Sequence, residues 1–146
     1  MEKYMMEALK EAQEAFKYGD VPIGVIIIEK GKIIARAHNQ KEKKKIATKH
    51  AEIIAIEKAC KKKKSWYLDD CEMYITMEPC VMCCGAIIQS RISKIVYGTA
   101  NEKFGYVKSV DEIFKNNNNH KPTVISGICE EECKQIVKDF FETKRK

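Results

Sequence analysis

The sequence predicts an α/β fold in which helices cover both faces of a sheet that contains parallel strands. Helical and strand-like patterns alternate along the 146 residues, without internal repeats or an obvious linker. Between residues 72 and 98 a strand, a helix and a second strand follow one another, an order that favours parallel pairing. The length favours one domain, 1–146, large enough to bury about 68–70% of its unfolded surface.

The first half of the chain reads as a helix, a hairpin and a second helix. Apolar residues recur at helical spacing through residues 2–18, and a Gly-Asp pair ends the pattern. Two apolar runs, 23–28 and 33–37, flank a short polar turn that contains a glycine and predict a hairpin. A basic loop over residues 41–48 then leads to a helical pattern that opens at His50.

The second half continues the alternation. Residues 72–77 read as a strand that leads to Pro79, a residue whose fixed φ suits the start of a helix. The next strand is predicted at 94–98, after that helix. A short strand at 123–125 and a terminal helix at 130–144 complete the pattern. The helix starts therefore follow strand ends, where open α/β sheets place their sites.

Charge and cysteine content limit the functional classes. The net charge is +6, from 27 Lys plus Arg against 21 Asp plus Glu. Basic runs attract phosphate backbones, but they are equally typical of solvated surfaces, so the charge only permits nucleic-acid binding. Seven cysteines is an odd number, and no secretory signal is visible. The longest apolar stretch, 21–28, is too short to span a bilayer. We expect a cytoplasmic protein that contacts no membrane.

The most specific chemical pattern is His50-Ala51-Glu52 followed by Pro79-Cys80 and Cys83. It reads as H-x-E…P-C-x-x-C, a signature of zinc deaminases that act on nucleobases. One His and two Cys give Zn²⁺ three protein ligands and leave a fourth position open for water. Glu52, two residues from the histidine, is placed to move protons without binding the metal.

A structural zinc site or a redox pair is the competing interpretation of the two cysteines. A lone C-x-x-C is often accidental in a chain with this many thiols. Cys84 could serve as a fourth ligand, but its position beside Cys83 makes tetrahedral ligation by both awkward. A thioredoxin-like role would leave His50 and Glu52 unexplained. The catalytic interpretation accounts for all the motif residues.

In these motifs and in the segments that flank them, the chain resembles the bacterial tRNA-specific adenosine deaminases along essentially its whole length. The zinc motif alone specifies only the wider cytidine deaminase-like superfamily. The flanking segments, above all the Phe-Phe pair near the C-terminus, favour the tRNA enzymes. The segments that carry the resemblance are Val21–Gly24, Asn39, His50–Glu52, Thr76–Ile88, Ser90–Ile92 and Asp139–Phe141.

The resemblance implies a three-layer α/β/α, cytidine deaminase-like fold around a mixed five-stranded sheet. It also implies conversion of adenosine to inosine at the wobble position of a tRNA anticodon stem-loop, by a homodimer with one Zn²⁺ per subunit. The residue roles that it implies are zinc binding by His50, Cys80 and Cys83, proton transfer by Glu52, adenine binding by Asn39, a pocket wall from Ile23 and Ala51, anticodon-loop contact by Phe140 or Phe141, and phosphate contact by Lys144 and Arg145.

The roles of the aromatic pair and of Asn39 have simpler alternatives. One ring of Phe140-Phe141 is expected to pack in the core under the last helix, while the other serves as a stacking platform for unpaired bases. An Asn amide both donates and accepts hydrogen bonds on a base edge. Asn39 at a strand end is equally typical of a turn.

Three positions depart from the family pattern. Asn101 stands where the family usually has Asp, and the loss of a carboxylate changes how a ribose hydroxyl is recognised. We therefore expect weaker discrimination between RNA and DNA, with weak activity on single-stranded DNA. Cys84 replaces a small residue and is expected to change packing only. Glu142 replaces a basic residue, which is expected to weaken phosphate contact.

Two other functions remain open from the sequence. The nearer is a deaminase of free guanine, cytosine or a nucleoside, for which the basic surface and the Phe-Phe pair would be incidental. The more distant is a non-catalytic, zinc-stabilised RNA-binding module. Glu52 argues against the module, because a binding protein needs no proton shuttle.

Overall fold

A computed structural model of the chain describes residues 1–116 and 119–144, so that Arg145 lies outside the described residues. The elements are α1 (Glu2–Lys17), β1 (Gly24–Glu29), β2 (Lys32–His38), α2 (Lys41–Lys44), α3 (Ala51–Lys63), β3 (Cys71–Met77), α4 (Val81–Ser90), β4 (Lys94–Thr99), β5 (Thr123–Ser126) and α5 (Glu130–Lys144), with a 3₁₀ turn at Ile113–Lys115. Within these ranges no helix is long and apolar enough to cross a membrane. Each helix and strand predicted from the sequence is present, with small shifts at the ends.

The predicted basic loop at 41–48 was wrong in part, because it contains the single helical turn α2. Asp20, which is buried, accepts the backbone N–H of Glu42 at 2.6 Å and that of Lys43 at 3.2 Å. A carboxylate in this position satisfies N–H groups that a helix start leaves without a partner. The cap comes from a residue distant in sequence, so local pattern could not reveal it.

The five strands form one mixed sheet in the order β2-β1-β3-β4-β5. Strand β1 is antiparallel to both β2 and β3, whereas β3, β4 and β5 run parallel. Lys30 and Gly31 join β1 to β2 with φ of 50° and 78°. Positive φ at both central residues is typical of a tight hairpin turn, which explains the glycine. The mixed five-stranded sheet implied by the resemblance is confirmed.

Strand β1 shows how the sheet supports two helical layers. Val25 and Ile27 belong to the core that includes residues of α3 and α4. Ile26 and Ile28 point to the other face, where they pack with residues of α1 and α5. Because β1 is buried on both faces, it reads as a continuous apolar run rather than an alternating one. Burying each of these side chains contributes about 1.5–3 kcal/mol. The three-layer α/β/α arrangement is confirmed.

The position of the site follows from this topology. Helix α4 begins directly after β3 and connects it to the parallel strand β4. Helix α3 packs beside α4 against the same core. The N-termini of the two helices therefore meet at the carboxyl edge of the parallel strands, which is where the motif residues are found.

Candidate active site

His50 and Cys80 occupy equivalent positions at two helix starts. Each is the N-cap residue of its helix and has extended backbone, with φ −78° and ψ 150° at His50 and φ −78° and ψ 178° at Cys80. Cys83 lies in the first turn of α4. The N-cap carbonyls accept the first helical hydrogen bonds, from Ile54 to His50 and from Cys84 to Cys80. The side chains of the three motif residues are thus free to converge.

The three ligand atoms have the spacing that a tetrahedral zinc requires. His50 Nδ1 lies 3.7 Å from Cys80 Sγ and 3.6 Å from Cys83 Sγ. All three atoms lie within 4.8 Å of one another. A nitrogen at about 2.1 Å and a sulfur at about 2.3 Å from a tetrahedral zinc lie about 3.6 Å apart. The residues present therefore fit a zinc ion with three protein ligands and one open position.

The electrostatics of the ligands suit a cation. Hydrogen bonds from the Cys83 thiol and from His50 lower the pKa of Cys80 to about 4, against the opposing effect of burial. The bond to Cys80 raises the pKa of His50, and the same thiolate together with burial raises the pKa of Cys83. Metal binding needs both thiolates and a neutral imidazole, so it must release the protons of Cys83 and His50.

Glu52 lies in the first turn of α3 and is only 3% exposed. Its Oε1 atom is buried and has no hydrogen-bond partner among the described residues. Burial raises the pKa of this carboxyl to about 7. A buried carboxyl oxygen without a hydrogen-bond partner destabilises the fold, so its presence at this position indicates a functional role. Near neutral pH such a group can both accept and donate a proton, which is what a proton shuttle does.

A cavity of about 460 Å³ opens onto this cluster. Seven residues singled out from the sequence line it: Ile23, Asn39, His50, Glu52, Cys80, Asn101 and Phe141. Six further residues complete the wall: Val21, Lys41, Met77, Glu78, Lys103 and Phe104. Sequence reasoning missed this second group. Val21, Met77 and Glu78 lie inside the segments that carry the family resemblance, whereas no local pattern distinguishes Lys103 and Phe104.

Asn39 connects the cavity wall to the helix that carries His50 and Glu52. Its Oδ1 accepts the backbone N–H of Ala51 at 2.8 Å, and the Asn39 side chain is itself buried. The amide NH₂ group is the part of this side chain that can bind a ligand in the cavity. Ala51 is fully buried under the helix start, behind the residues that line the cavity.

The two aromatic residues of α5 have different environments. Phe140 is 4% exposed and packs edge to face on Phe16, with ring centroids 5.6 Å apart. Phe141 is 46% exposed and lines the cavity. Lys144 Nζ lies 5.4 Å from the centroid of the Phe140 ring. Both Lys144 and Phe140 line a second cavity of about 430 Å³, which shares Val21, Asn39 and Lys41 with the first.

Glu78 is a buried acidic residue beside the candidate site that the sequence analysis did not select. It directly precedes Pro79 and is 1% exposed. Burial by itself would raise its pKa, but the Ser109 hydroxyl and the backbone N–H groups of Lys108, Ser109 and Asn101 outweigh burial and lower the pKa of Glu78. A carboxylate that accepts several hydrogen bonds stays ionised.

Asn101 lines the cavity and also forms hydrogen bonds that hold the neighbouring backbone. Its backbone N–H donates to Glu78 Oε1 at 3.1 Å, and its side-chain Oδ1 accepts the N–H of Phe104 at 3.2 Å. The Oδ1 atom is thereby occupied. The NH₂ group is the donor that the Asn101 side chain can offer within the cavity, where the family pattern has a carboxylate that only accepts.

Comparisons with known proteins agree on a family. Residues 1–145 match the family described as MafB19-like deaminase. A tRNA-specific adenosine deaminase of Bacillus subtilis (strain 168) is 42% identical over 146 residues, covering 99% of this chain and 91% of the relative. The tRNA-specific adenosine deaminase of Aquifex aeolicus (strain VF5) is 39% identical over 144 residues, covering 99% of this chain and 95% of the relative.

Solved structures give the same result for the fold. One from a study of A-to-I editing by tRNA:A34 deaminases at the wobble position of transfer RNA superposes with a TM-score of 0.89 at 37% identity, covering 92% of this chain and 98% of that one. A guanine deaminase from Bacillus subtilis superposes with a TM-score of 0.66 at 34% identity, covering 83% and 77%. The higher structural similarity is to the tRNA deaminase.

Proposed function

This chain belongs to the tRNA-specific adenosine deaminases of the MafB19-like deaminase family, and we propose that it converts adenosine to inosine at the wobble position of a tRNA anticodon. The reaction consumes water and releases ammonia. The observation that carries the proposal is the buried Glu52 carboxyl beside the three ligand atoms of His50, Cys80 and Cys83. A non-catalytic module would have no use for a buried carboxyl oxygen that has no hydrogen-bond partner among the described residues.

The chemistry divides between the metal and the protein. One Zn²⁺ per subunit, held by His50, Cys80 and Cys83, would supply a Lewis acid that lowers the pKa of a bound water to about 7. Glu52 accepts the proton of the attacking water and delivers it to ring N1, which makes C6 electrophilic. The same carboxylate then takes the proton of the hydroxyl group added at C6 and delivers it to the amino group, which leaves as ammonia while the C6 carbonyl forms. Burial, which raises the pKa of the Glu52 carboxyl, favours a group that both accepts and gives up a proton.

The cavity supplies the contacts for a flipped adenine. Asn39 donates from its NH₂ group to an acceptor on the purine, and Ile23 lines the apolar side of the pocket. The fully buried Ala51 contributes by holding the Asn39 side chain through its backbone N–H. The exposed ring of Phe141 offers a surface on which an anticodon-loop base stacks. The buried Phe140 ring, which packs edge to face against Phe141, is proposed to support that ring from within the fold. Lys144 and Arg145 are proposed to contact phosphates of the stem-loop.

The decisive experiment is mass-spectrometric detection of inosine in an anticodon stem-loop RNA with adenosine at the wobble position. Zinc-loaded protein is compared with Glu52→Ala and with Cys83→Ser on the same RNA. We expect inosine from the intact protein, zinc without turnover in Glu52→Ala, and joint loss of zinc and activity in Cys83→Ser.

Other outcomes would point elsewhere. A near-normal rate in metal-loaded Glu52→Ala would contradict the proton-transfer role. Zinc-loaded protein that forms no inosine, but releases ammonia from guanine, cytosine or a nucleoside, would move the assignment to the free-base deaminases. RNA binding without any deamination would favour the binding module.

We propose in addition weak activity on single-stranded DNA, because Asn101 lines the cavity in place of the usual carboxylate. An amide removes one negative charge beside a polyanion and changes how the 2′-hydroxyl is recognised. Matched RNA and DNA stem-loops should show a smaller preference for RNA in the natural protein than in Asn101→Asp. An equal or larger RNA preference in the natural protein would refute the role of Asn101.

We further propose that residues 1–146 act as one zinc-dependent deaminase domain in a cytoplasmic homodimer. A shallow depression on the outer side of α3 and α4 supports an interface there, since it is lined by Ile56, Cys60, Trp66 and Ala86, with Trp66 64% exposed. Light scattering of the purified protein should give twice the 16.8 kDa chain mass. Trp66→Ser should shift the mass toward the monomer.

A further inference from the structure

Glu78 joins the metal-binding end of β3 to one wall of the substrate cavity. We propose that Glu78 is a positioning residue for this reaction, which holds residues 101–109 (the wall segment) in the shape that accepts the target nucleotide. The inference rests on the proposed function. It assigns a role to a side chain that neither binds the metal nor transfers a proton.

The carboxylate of Glu78 organises the wall segment through five hydrogen bonds. Its Oε1 accepts the backbone N–H of Asn101 at 3.1 Å and the Ser109 hydroxyl. Its Oε2 accepts three successive backbone N–H groups, from Val107 at 3.0 Å, Lys108 at 2.8 Å and Ser109 at 3.0 Å. The bonds reach both ends of the segment. One side chain therefore closes a loop that has no regular secondary structure of its own.

Gly105 shows how closely the segment wraps around this carboxylate. A Cβ atom at Gly105 would lie 2.3 Å from Glu78 Cδ and 2.4 Å from Oε1. The adjacent backbone is held as well, since Tyr106 N–H donates to the carbonyl of Pro79 at 3.0 Å and Gly105 pairs with Cys80 in an isolated β-bridge. The chain passes the carboxylate with room for a hydrogen atom only.

The segment held in this way presents side chains to the substrate. Asn101, Lys103 and Phe104 all line the cavity opposite the zinc ligands. Phe104 is 60% exposed, so packing of its own ring does not hold it in place. Glu78 also forms no ion pair among the described residues, and every group that donates to it is neutral. Its contribution is therefore to the geometry of the wall rather than to charge balance.

Glu78→Gln tests this role with little change in size. A Gln side chain keeps one acceptor oxygen, but in either orientation its NH₂ group would face at least one backbone N–H donor, so at least one of the bonds is lost. Glu72→Gln, on the same strand but paired with Lys94 outside the cavity, is the matched control. Each protein is assayed for zinc content, for kcat and KM on the wobble-adenosine stem-loop, and for hydrogen exchange of the wall segment.

We expect Glu78→Gln to keep its zinc and a kcat within about threefold and to raise KM about tenfold or more. Hydrogen exchange should be faster at those backbone N–H groups of the wall segment that lose the Glu78 carboxylate as their acceptor. Glu72→Gln should match the natural protein. Unchanged KM and exchange would overturn the proposal, as would loss of zinc and kcat at constant KM, since that result would place Glu78 in the metal site. A merely structural role would lower the active fraction without changing KM.

Ser109→Ala keeps the proposal testable if Glu78→Gln fails to fold. It removes only the hydroxyl bond and should raise KM about two- to fivefold with zinc intact. A KM equal to that of the natural protein would count against the proposal. If the natural protein forms no inosine at all, the proposed function fails, and hydrogen exchange then tests the positioning role of Glu78 separately. Hydrogen exchange of the wall segment that is unchanged in both Glu78→Gln and Ser109→Ala would overturn that role.

Discussion

The side-chain Oδ1 of Asn39 accepts the backbone N–H of Ala51 at 2.8 Å. This bond joins the end of the hairpin to the first turn of α3, between the N-cap His50 and the buried Glu52. An Asn in the wall of the cavity thereby satisfies an N–H group at a helix start. The residue that is proposed to bind the purine also orients the helix that carries the catalytic groups.

Two substitutions at Asn39 separate these roles. Asn39→Ala leaves the buried N–H of Ala51 without an acceptor and should lower the free energy of unfolding by about 1–3 kcal/mol. Asn39→Asp keeps the acceptor but loses the NH₂ donor, so it should stay near the natural stability while KM rises. Thermal unfolding and steady-state kinetics measure the two effects. Equal stability of both variants would contradict the capping role.

Removal of the metal should make one cysteine, Cys80, selectively reactive toward an alkylating reagent. Above a pKa of about 4 the Cys80 side chain is a thiolate, whereas Cys71 and Cys133, whose pKa values burial raises to about 12, stay protonated near neutral pH. Only the thiolate is nucleophilic. Chelator-treated protein should therefore be alkylated by iodoacetamide at Cys80 at pH 6, as read by peptide mass spectrometry.

Zinc provides the control for the alkylation experiment. Zinc added before the reagent should protect Cys80, because the coordinated sulfur is no longer available to the reagent. Cys71 should stay unmodified in both samples. Equal alkylation of Cys80 with and without zinc would contradict its assignment as a ligand.

The two phenylalanines of α5 should respond differently to truncation. Phe140→Ala removes a buried ring that packs on Phe16 and should destabilise the fold by about 3–5 kcal/mol. Phe141→Ala removes an exposed ring and should leave stability unchanged while it weakens stem-loop binding by about 1–3 kcal/mol. Urea unfolding and fluorescence anisotropy with labelled RNA make the comparison. Unchanged stability of Phe140→Ala, or unchanged RNA affinity of Phe141→Ala, would contradict the division of roles.

Asp20 should affect both the stability of the fold and the binding of RNA by the lysines beside the cavity. Its carboxylate caps α2, and Lys41 and Lys45 of that region line the second cavity with Lys144. Asp20→Ala should lower the free energy of unfolding by about 0.5–2 kcal/mol and reduce the dependence of RNA affinity on salt.

Asp69→Ala, at an exposed turn, serves as the control for Asp20. It should change neither stability nor the salt slope. Binding titrations at several salt concentrations provide the measurement. A salt slope that Asp20→Ala leaves intact would show that the lysines around α2 do not contact phosphates.

Some features of the candidate site could be predicted from the local sequence pattern, and others could not. The cluster of His50, Cys80 and Cys83 was predictable because the motif places His50 and Cys80 at two helix starts and puts Cys83 one turn after Cys80. Phe140 and Phe141 were not separable, since adjacent residues on a helix differ in burial only through what packs against them. Glu78 was missed for the same reason, because its partners at 101–109 are distant along the chain.

Residue types and short spacings along the chain were enough to give the order of helices and strands, the deaminase motif and the family. Packing of the folded chain sets which aromatic ring faces the cavity, how Asp20 caps α2, and how Glu78 holds the wall segment. These features depend on contacts between residues that are distant in sequence. Such contacts exist only after the sheet and its two helical layers have packed, since burial and hydrogen-bond geometry are properties of the folded chain.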